Sequence, residues 1–371
     1  MKKLIWGLLI VAVVAIFGGR ALWLYQHHEK IENVVKIGLL TSLTGSLSNE
    51  GHGTLDAAKI AEDVINASGK YDFKVKVLVQ DGKFLPKDSV EAYNKLAADG
   101  VSAVIVFGDT PTTAVTQFVN TYKIPTFAIA GRKDLLSLSP YFLRMFIPND
   151  IMSGYYGKYA VEKMNLKKIA VLQIKTVLGK DAADAFINNA KAAGATITAH
   201  ETFKENATET RAQVLKLIDS KPDAIFILGW NTGYVNAFNY AREMGFEGPI
   251  LTDFNITSNI EPLKTKDNIF YVDTSFFEES DEYHYAQKYK ESHNGQESHS
   301  FYAFVYIATT MLPEAVKNKG FDREEIMKGL KEMTHFNTPL GPMEMKPNGD
   351  VIVPFVVKQL QPDGTAKVVK E

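Results

Sequence analysis

Val35-Lys36-Ile37-Gly38-Leu39-Leu40 runs into Thr41-Ser42-Leu43-Thr44-Gly45-Ser46-Leu47-Ser48-Asn49-Glu50-Gly51-His52-Gly53, and then into a segment where Ala57, Ile60, Ala61, Val64 and Ile65 recur at three- and four-residue steps. The first run is rich in branched and aliphatic residues and too short for a helix, so it reads as a buried strand. The second carries three glycines and five hydroxyl residues, the chemistry of a loop. From Thr54 one helical face is apolar, while Lys59, Glu62 and Asp63 point to water. Strand, polar loop and helix in this order form the front half of a parallel β/α unit. Ligands of such sheets bind beyond the carboxyl ends of the strands, where loops meet helix N-termini. A site is therefore expected early, near residues 44–53.

The same alternation continues along the chain. Strands are predicted over 74–80, 103–107 and 124–130, with helices over 86–98 and up to Tyr122, the latter capped by the hydroxyls of Thr110, Thr112 and Thr113. Past residue 150 the pattern restarts: helices over 150–164, 180–193, 208–220 and 232–245 alternate with strands over 168–174, 196–201, 224–228 and from 249. Further helices are predicted near 281–293 and 300–318, and a terminal strand over 351–360 after the turn Pro347-Asn348-Gly349-Asp350. Alternating β and α with short connections predicts an α/β fold of open, mostly parallel sheets.

A chain of 371 residues exceeds one ordinary core, which predicts two lobes. Hydrophobic and charged fractions of 46% and 23% are those of a globular protein, and a net charge of −2 offers no basic stripe for nucleic acid. The absence of cysteine excludes disulfides, thiolate metal sites and lipid attachment through a thiol. Met1-Lys2-Lys3 followed by an apolar run to Gly19 reads as a secretory signal. Leu22-Trp23-Leu24-Tyr25 prolongs the apolar character past Arg20, so residues 1–25 are either a signal peptide or a retained membrane anchor, and both place the remainder outside the cytoplasm. With no coiled coil and no apolar stripe beyond the N-terminus, a monomer is expected.

Catalytic constellations do not assemble. Gly51-His52-Gly53 begins like a dinucleotide fingerprint, but Asp56 stands where the third glycine belongs and would oppose a pyrophosphate. Gly154-Tyr155-Tyr156-Gly157-Lys158 lacks phosphate-loop spacing, and Trp230-Asn231-Thr232-Gly233 is no nucleophile elbow. His27-His28, His293 and His299 have no metal-ligand spacing, and the pairs Glu278-Glu279 and Glu324-Glu325 read as solvated faces. The balance favours binding over catalysis, with no cofactor and no metal. A nucleotide-dependent doubly wound enzyme is the weaker alternative.

Thr41-Ser42-Leu43-Thr44-Gly45 with Gly51, Gly53 and Ala57-Ala58, then Ile65-Asn66-Ala67-Ser68-Gly69, resembles the opening of the type I periplasmic binding proteins, in the leucine/isoleucine/valine-binding branch of ABC-importer receptors. Asp81 with Pro86, Asp99-Gly100-Val101, Lys123-Ile124-Pro125 and Gly341-Pro342 fall where that family has its own marks, so the likeness runs from about Val35 to Leu360. The resemblance implies two Rossmann-like lobes (34–148 plus 276–338, and 149–275 plus 339–371), a three-crossing hinge and one ligand closed in the cleft.

It also implies contacts. The family's hydroxyl for a ligand carboxylate falls on Thr110, with Thr112 close behind; helix capping is the competing role. The next group falls on Ala130-Gly131-Arg132, where a guanidinium replaces a hydroxyl and can grip a carboxylate twice, or else pair with Asp134 or Asp109. The family's cleft tyrosines fall on Trp230, beside Asn231, and near Leu178. Core packing is the competing role for Trp230. The acidic residue for a ligand's amino group falls on Phe254, with Asp253 one step away, and Glu50 stands where the first loop offers a side chain. The implied ligand is a small carboxylate, an amino acid or an organic or aromatic acid, delivered to an ABC permease; a tethered ligand-sensing ectodomain is the alternative.

Overall fold

The computed structural model describes residues 33–274, 276, 282 and 284–369. The expected signal or anchor at 1–25, His27-His28 and the pair Glu278-Glu279 lie outside the described residues.

Strands β1 (Val34–Thr41), β2 (Lys74–Asp81), β3 (Ala103–Phe107), β4 (Thr126–Ile129) and β5 (Phe142–Arg144) form a five-stranded parallel sheet in the order β2-β1-β3-β4-β5. Helices α1 (Ser48–Ser68), α2 (Pro86–Ala98), α3 (Asp109–Tyr122) and the short α4 (Leu135–Leu138) follow its strands. The alternation of β1 decides the two faces: Val35, Ile37 and Leu39 join the core under α1, whereas Leu40 joins Tyr93, Leu96, Val115 and Val119 under α2 and α3.

After helix α5 (Asn149–Glu162) the second series begins: β6 (Lys168–Ile174), α6 (Val177–Ala192), β7 (Thr196–Phe203), α7 (Arg211–Asp219), β8 (Ala224–Leu228), α8 (Thr232–Glu243), β9 (Ile250–Asp253), a 3-10 turn (Phe254–Asn259) and β10 (Ile269–Asp273). Helices α9 (Tyr285–Ser292), α10 (Ser300–Lys319) and α11 (Arg323–Glu332) come next, and α10 packs back on α1, β3 and β4. A small antiparallel sheet of β11 (Phe336–Thr338), β12 (Gly341–Met345) and β13 (Val351–Ile352) leads to β14 (Val356–Leu360) and β15 (Ala366–Val368), which complete a seven-stranded sheet in the order β15-β14-β10-β9-β8-β6-β7. That sheet is parallel except where β14 pairs antiparallel with β10 and with β15. The chain thus passes between the two sheet systems three times: before α5, between β10 and α9, and between α11 and β14.

Three expectations need correction. Helix α1 begins at Ser48, not Thr54, so Gly51 and Gly53 are helical. A Cβ on Gly51 would lie 1.8 Å from the Ser42 carbonyl oxygen, and one on Gly53 would lie 2.3 Å from the Tyr302 ring, so both glycines serve close approach rather than loop flexibility. The threonines do not cap α3: its N-cap is Gly108, and the Thr112 and Thr113 hydroxyls donate back to the Gly108 and Asp109 carbonyls at 2.7 and 2.8 Å. The expected strand over 351–360 is two strands, because Pro354 separates a piece paired with β12 from a piece paired with β10.

Candidate functional site

The carboxyl ends of the two sheets meet over a floor of aromatic rings. Phe107 closes β3, Phe146 lies in the first crossing, Phe254 follows β9 and Phe301 sits in the first turn of α10. Phe301 stacks on Phe146 at 5.0 Å and takes Phe107 and Phe254 edge-on at 5.8 and 4.9 Å. Phe146 also meets Phe254 and Phe304, both at 5.4 Å. A second bridge joins the walls: Lys133, in the loop after β4, pairs with Asp181 of α6 at 3.0 Å. The rings lie beyond strand ends from both sheets, the place where such folds bind ligands.

The first wall is built from the turns after β3 and β4. Asp109, the first residue of α3, accepts hydrogen bonds from the backbone N–H groups of Gly131 at 3.3 Å and Arg132 at 3.0 Å. Burial nevertheless pushes its pKa up, since the two amides only partly replace lost hydration. Ala130 and Gly131 are buried, and a Cβ on Gly131 would lie 2.5 Å from the Asn149 side-chain oxygen, so that side chain would have to shift. The Arg132 guanidinium takes the alternative weighed for it: it grips Asp134 twice, at 2.7 and 2.8 Å, and donates to the Thr113 hydroxyl at 2.6 Å. Beneath the loop, buried Arg144 donates to the Arg132 and Lys133 carbonyls at 2.8 and 3.2 Å and pairs with Asp350 at 3.1 Å. Arg144 thereby ties the site loop to the third crossing. Thr110 is half-buried in the first turn of α3, while Thr112 is fully buried and spends its hydroxyl inside the helix.

The second wall comes from the turns after β6, β8 and β9. Trp230 keeps 37% of its surface exposed, which argues against a purely core role. Asn231 instead caps α8: its side-chain oxygen accepts from the Tyr234 N–H at 3.0 Å and its amide donates to the Glu205 carbonyl. Asp253 is buried and accepts from the backbone and side-chain N–H groups of Asn255, both at 3.0 Å; burial pushes its pKa up to about 7. Phe254 belongs to the aromatic floor. Leu178 is half-buried in the first turn of α6, and Glu50 is half-buried in the first turn of α1.

The structure thus brings Thr110, Ala130, Gly131 and Arg132 together on one wall, and gives Thr112 and Asn231 helix-internal duties. Sequence reasoning had not assigned Asp109 to the site; its position as first helical residue after β3 was the available signal. Arg144, Phe146 and Phe301 carried none, being spaced like ordinary core. Among the described residues no group of three or more His, Cys, Asp or Glu could hold a metal.

A family model described as "Periplasmic binding protein" matches residues 34–365, from β1 to the turn before β15. Leu/Ile/Val-binding protein homolog 1 of Brucella abortus (strain 2308) is 25% identical over 376 residues, spanning 96% of this chain and 95% of that protein. Among solved structures, the branched-chain amino acid transporter substrate binding protein of Streptococcus pneumoniae in complex with isoleucine matches with a TM-score of 0.82 at 22% identity, over 91% of this chain and 100% of the other. The solute binding protein of an ABC transporter from Rhodopseudomonas palustris BisB5, in complex with 3,4-dihydroxy benzoic acid, matches with a TM-score of 0.77 at 20% identity, over 90% and 95%. At these identities the two structures speak for the fold. This chain belongs to the periplasmic binding protein family and has the two-lobed α/β fold of its type I members.

Proposed function

We propose that this protein is a solute-binding receptor outside the cytoplasm. It closes two lobes on a small organic solute, leaves it chemically unaltered and hands it to an ABC permease. The lobes are 34–148 plus 276–338 and 149–275 plus 339–371, moving about the three crossings. The observation that supports this most is the convergence of strand ends from both sheets on one aromatic floor, with Trp230 exposed just past the end of β8. The relatives named above were found with, or are named for, amino acids and an aromatic acid, which supports a solute of that size. A carboxylate anchored by Thr110 and Arg132 is not part of this reading, because Arg132 is already gripped by Asp134.

A thermal-shift screen of the full-length protein against amino acids, dicarboxylates, aromatic acids and organic amines tests the reading. A true solute at a hundredfold excess over its Kd stabilises the fold by roughly 3 kcal/mol. It should also reduce the radius of gyration in solution scattering. Stabilisation by no compound of the panel, or a hit with unchanged dimensions, would remove the support for a closing receptor.

A further inference from the structure

Two consecutive backbone N–H groups, of Gly131 and Arg132, converge on one carboxylate at the end of β4. Adjacent amides directed at one point make an anion seat. Here the occupant is the chain's own Asp109, one oxygen on each N–H group.

The nearby cations are each hydrogen-bonded to another partner, although the Arg132 and Arg144 charges still favour the ionised form of Asp109. Arg132 is matched by Asp134, Lys133 by Asp181 across the crevice, and Arg144 by Asp350. On the opposite wall Asp253 is a buried carboxylate that accepts from the N–H groups of Asn255. An incoming carboxylate would find the amides taken and would face Asp109 at short range in a partly dry site, where like charges repel strongly.

We propose that Asp109 fills the anion seat of this crevice, so that the solute meets the first lobe through a positively charged or N–H-donating group and not through a carboxylate. The proposal rests on the receptor reading for the solute, but the state of the seat can be measured without any solute. Each Asp109 oxygen accepts one backbone bond and retains capacity for another, which a ligand ammonium or amide N–H can use.

The first measurement titrates sodium acetate into the full-length protein while following the amide NMR signals of Gly131 and Arg132. In the native protein these signals stay still; in Asp109→Ser they shift saturably as acetate enters the vacated seat. Saturable movement in the native protein, or none in Asp109→Ser, overturns the proposal. The second uses the hits of the solute screen with Asp109→Asn, which keeps the shape and one acceptor but removes the charge. Hits should carry an ammonium, guanidinium or amide N–H group, and their affinity should fall about ten- to hundredfold. A carboxylate lacking any such donor that binds the native protein as tightly as Asp109→Asn overturns it, as does a donor-bearing hit with unchanged affinity. A screen without hits counts against the receptor reading and overturns the solute half of the proposal, while the acetate titration still judges the seat.

Discussion

At the scale of single residues, the site is governed by which charges already have partners. Arg132 was expected to reach a ligand, yet it is held in a two-point grip by Asp134, two residues away. A neighbour tethered by two peptide bonds reaches a guanidinium at little entropic cost. Asp253 shows the opposite situation, a carboxylate with N–H partners but no salt-bridging cation among the described residues, whose pKa burial pushes up to about 7. The folded protein therefore holds this proton more tightly than the unfolded chain does. The penalty for ionising it is absent below the ordinary carboxylate pKa of 3.8 and complete above about 7. Asp253→Asn should accordingly leave stability near pH 4 almost unchanged and raise it by about 2–4 kcal/mol at pH 8. Thermal melts of both proteins across pH 4–8 check the sign: a gain that shrinks as pH rises contradicts the assignment.

At the scale of elements, helix α1 shows how far local pattern reaches. The apolar steps from Ala57 to Ile65 marked its body, and those residues do line the core. Its first turn was hidden by glycines that usually signal loops. Gly51 and Gly53 are there because the Ser42 carbonyl and the Tyr302 ring press against the helix. Alanine is the better helix former by roughly 1 kcal/mol, but a backbone oxygen cannot swing aside as a side chain can. Gly51→Ala is thus expected to destabilise the protein by about 1–3 kcal/mol in spite of its propensity, read by urea denaturation. Neutral or improved stability would mean that the Ser42 loop moves freely. Short elements show the same limit: β5 has three residues and β10 five, and neither stood out from its surroundings in sequence, although their ladders to β4 and β9 fix their places in the sheets.

For the whole molecule, the question is what joins the two sheet systems. Phe146, in the first crossing, contacts Phe254 beyond β9 and Phe301 and Phe304 on α10, so one side chain touches the second wall and the helix beneath it. Phe146→Ala should cost about 3–5 kcal/mol, at the upper range of core truncations, since none of the three partners lies next to it in the chain. Chemical denaturation followed by both far-UV circular dichroism and tryptophan fluorescence measures this; a loss under 1 kcal/mol would show that the rings are not a shared floor. The Lys133–Asp181 pair also spans the walls, but its lysine is largely exposed, and such pairs contribute little to stability.

Sequence by itself determined the α/β alternation, the two successive βα series and the absence of thiol chemistry. All of these follow from periodicity and residue type, which act over a few neighbouring positions. Tertiary structure alone decided that Asp109 sits on the amides of Gly131 and Arg132, that Arg144 reaches Asp350, and that Phe254 faces Phe301 rather than standing free. Those outcomes depend on distances between segments tens to hundreds of residues apart, and a hydrogen bond or ring contact is chosen by proximity in space, to which no local pattern gives access.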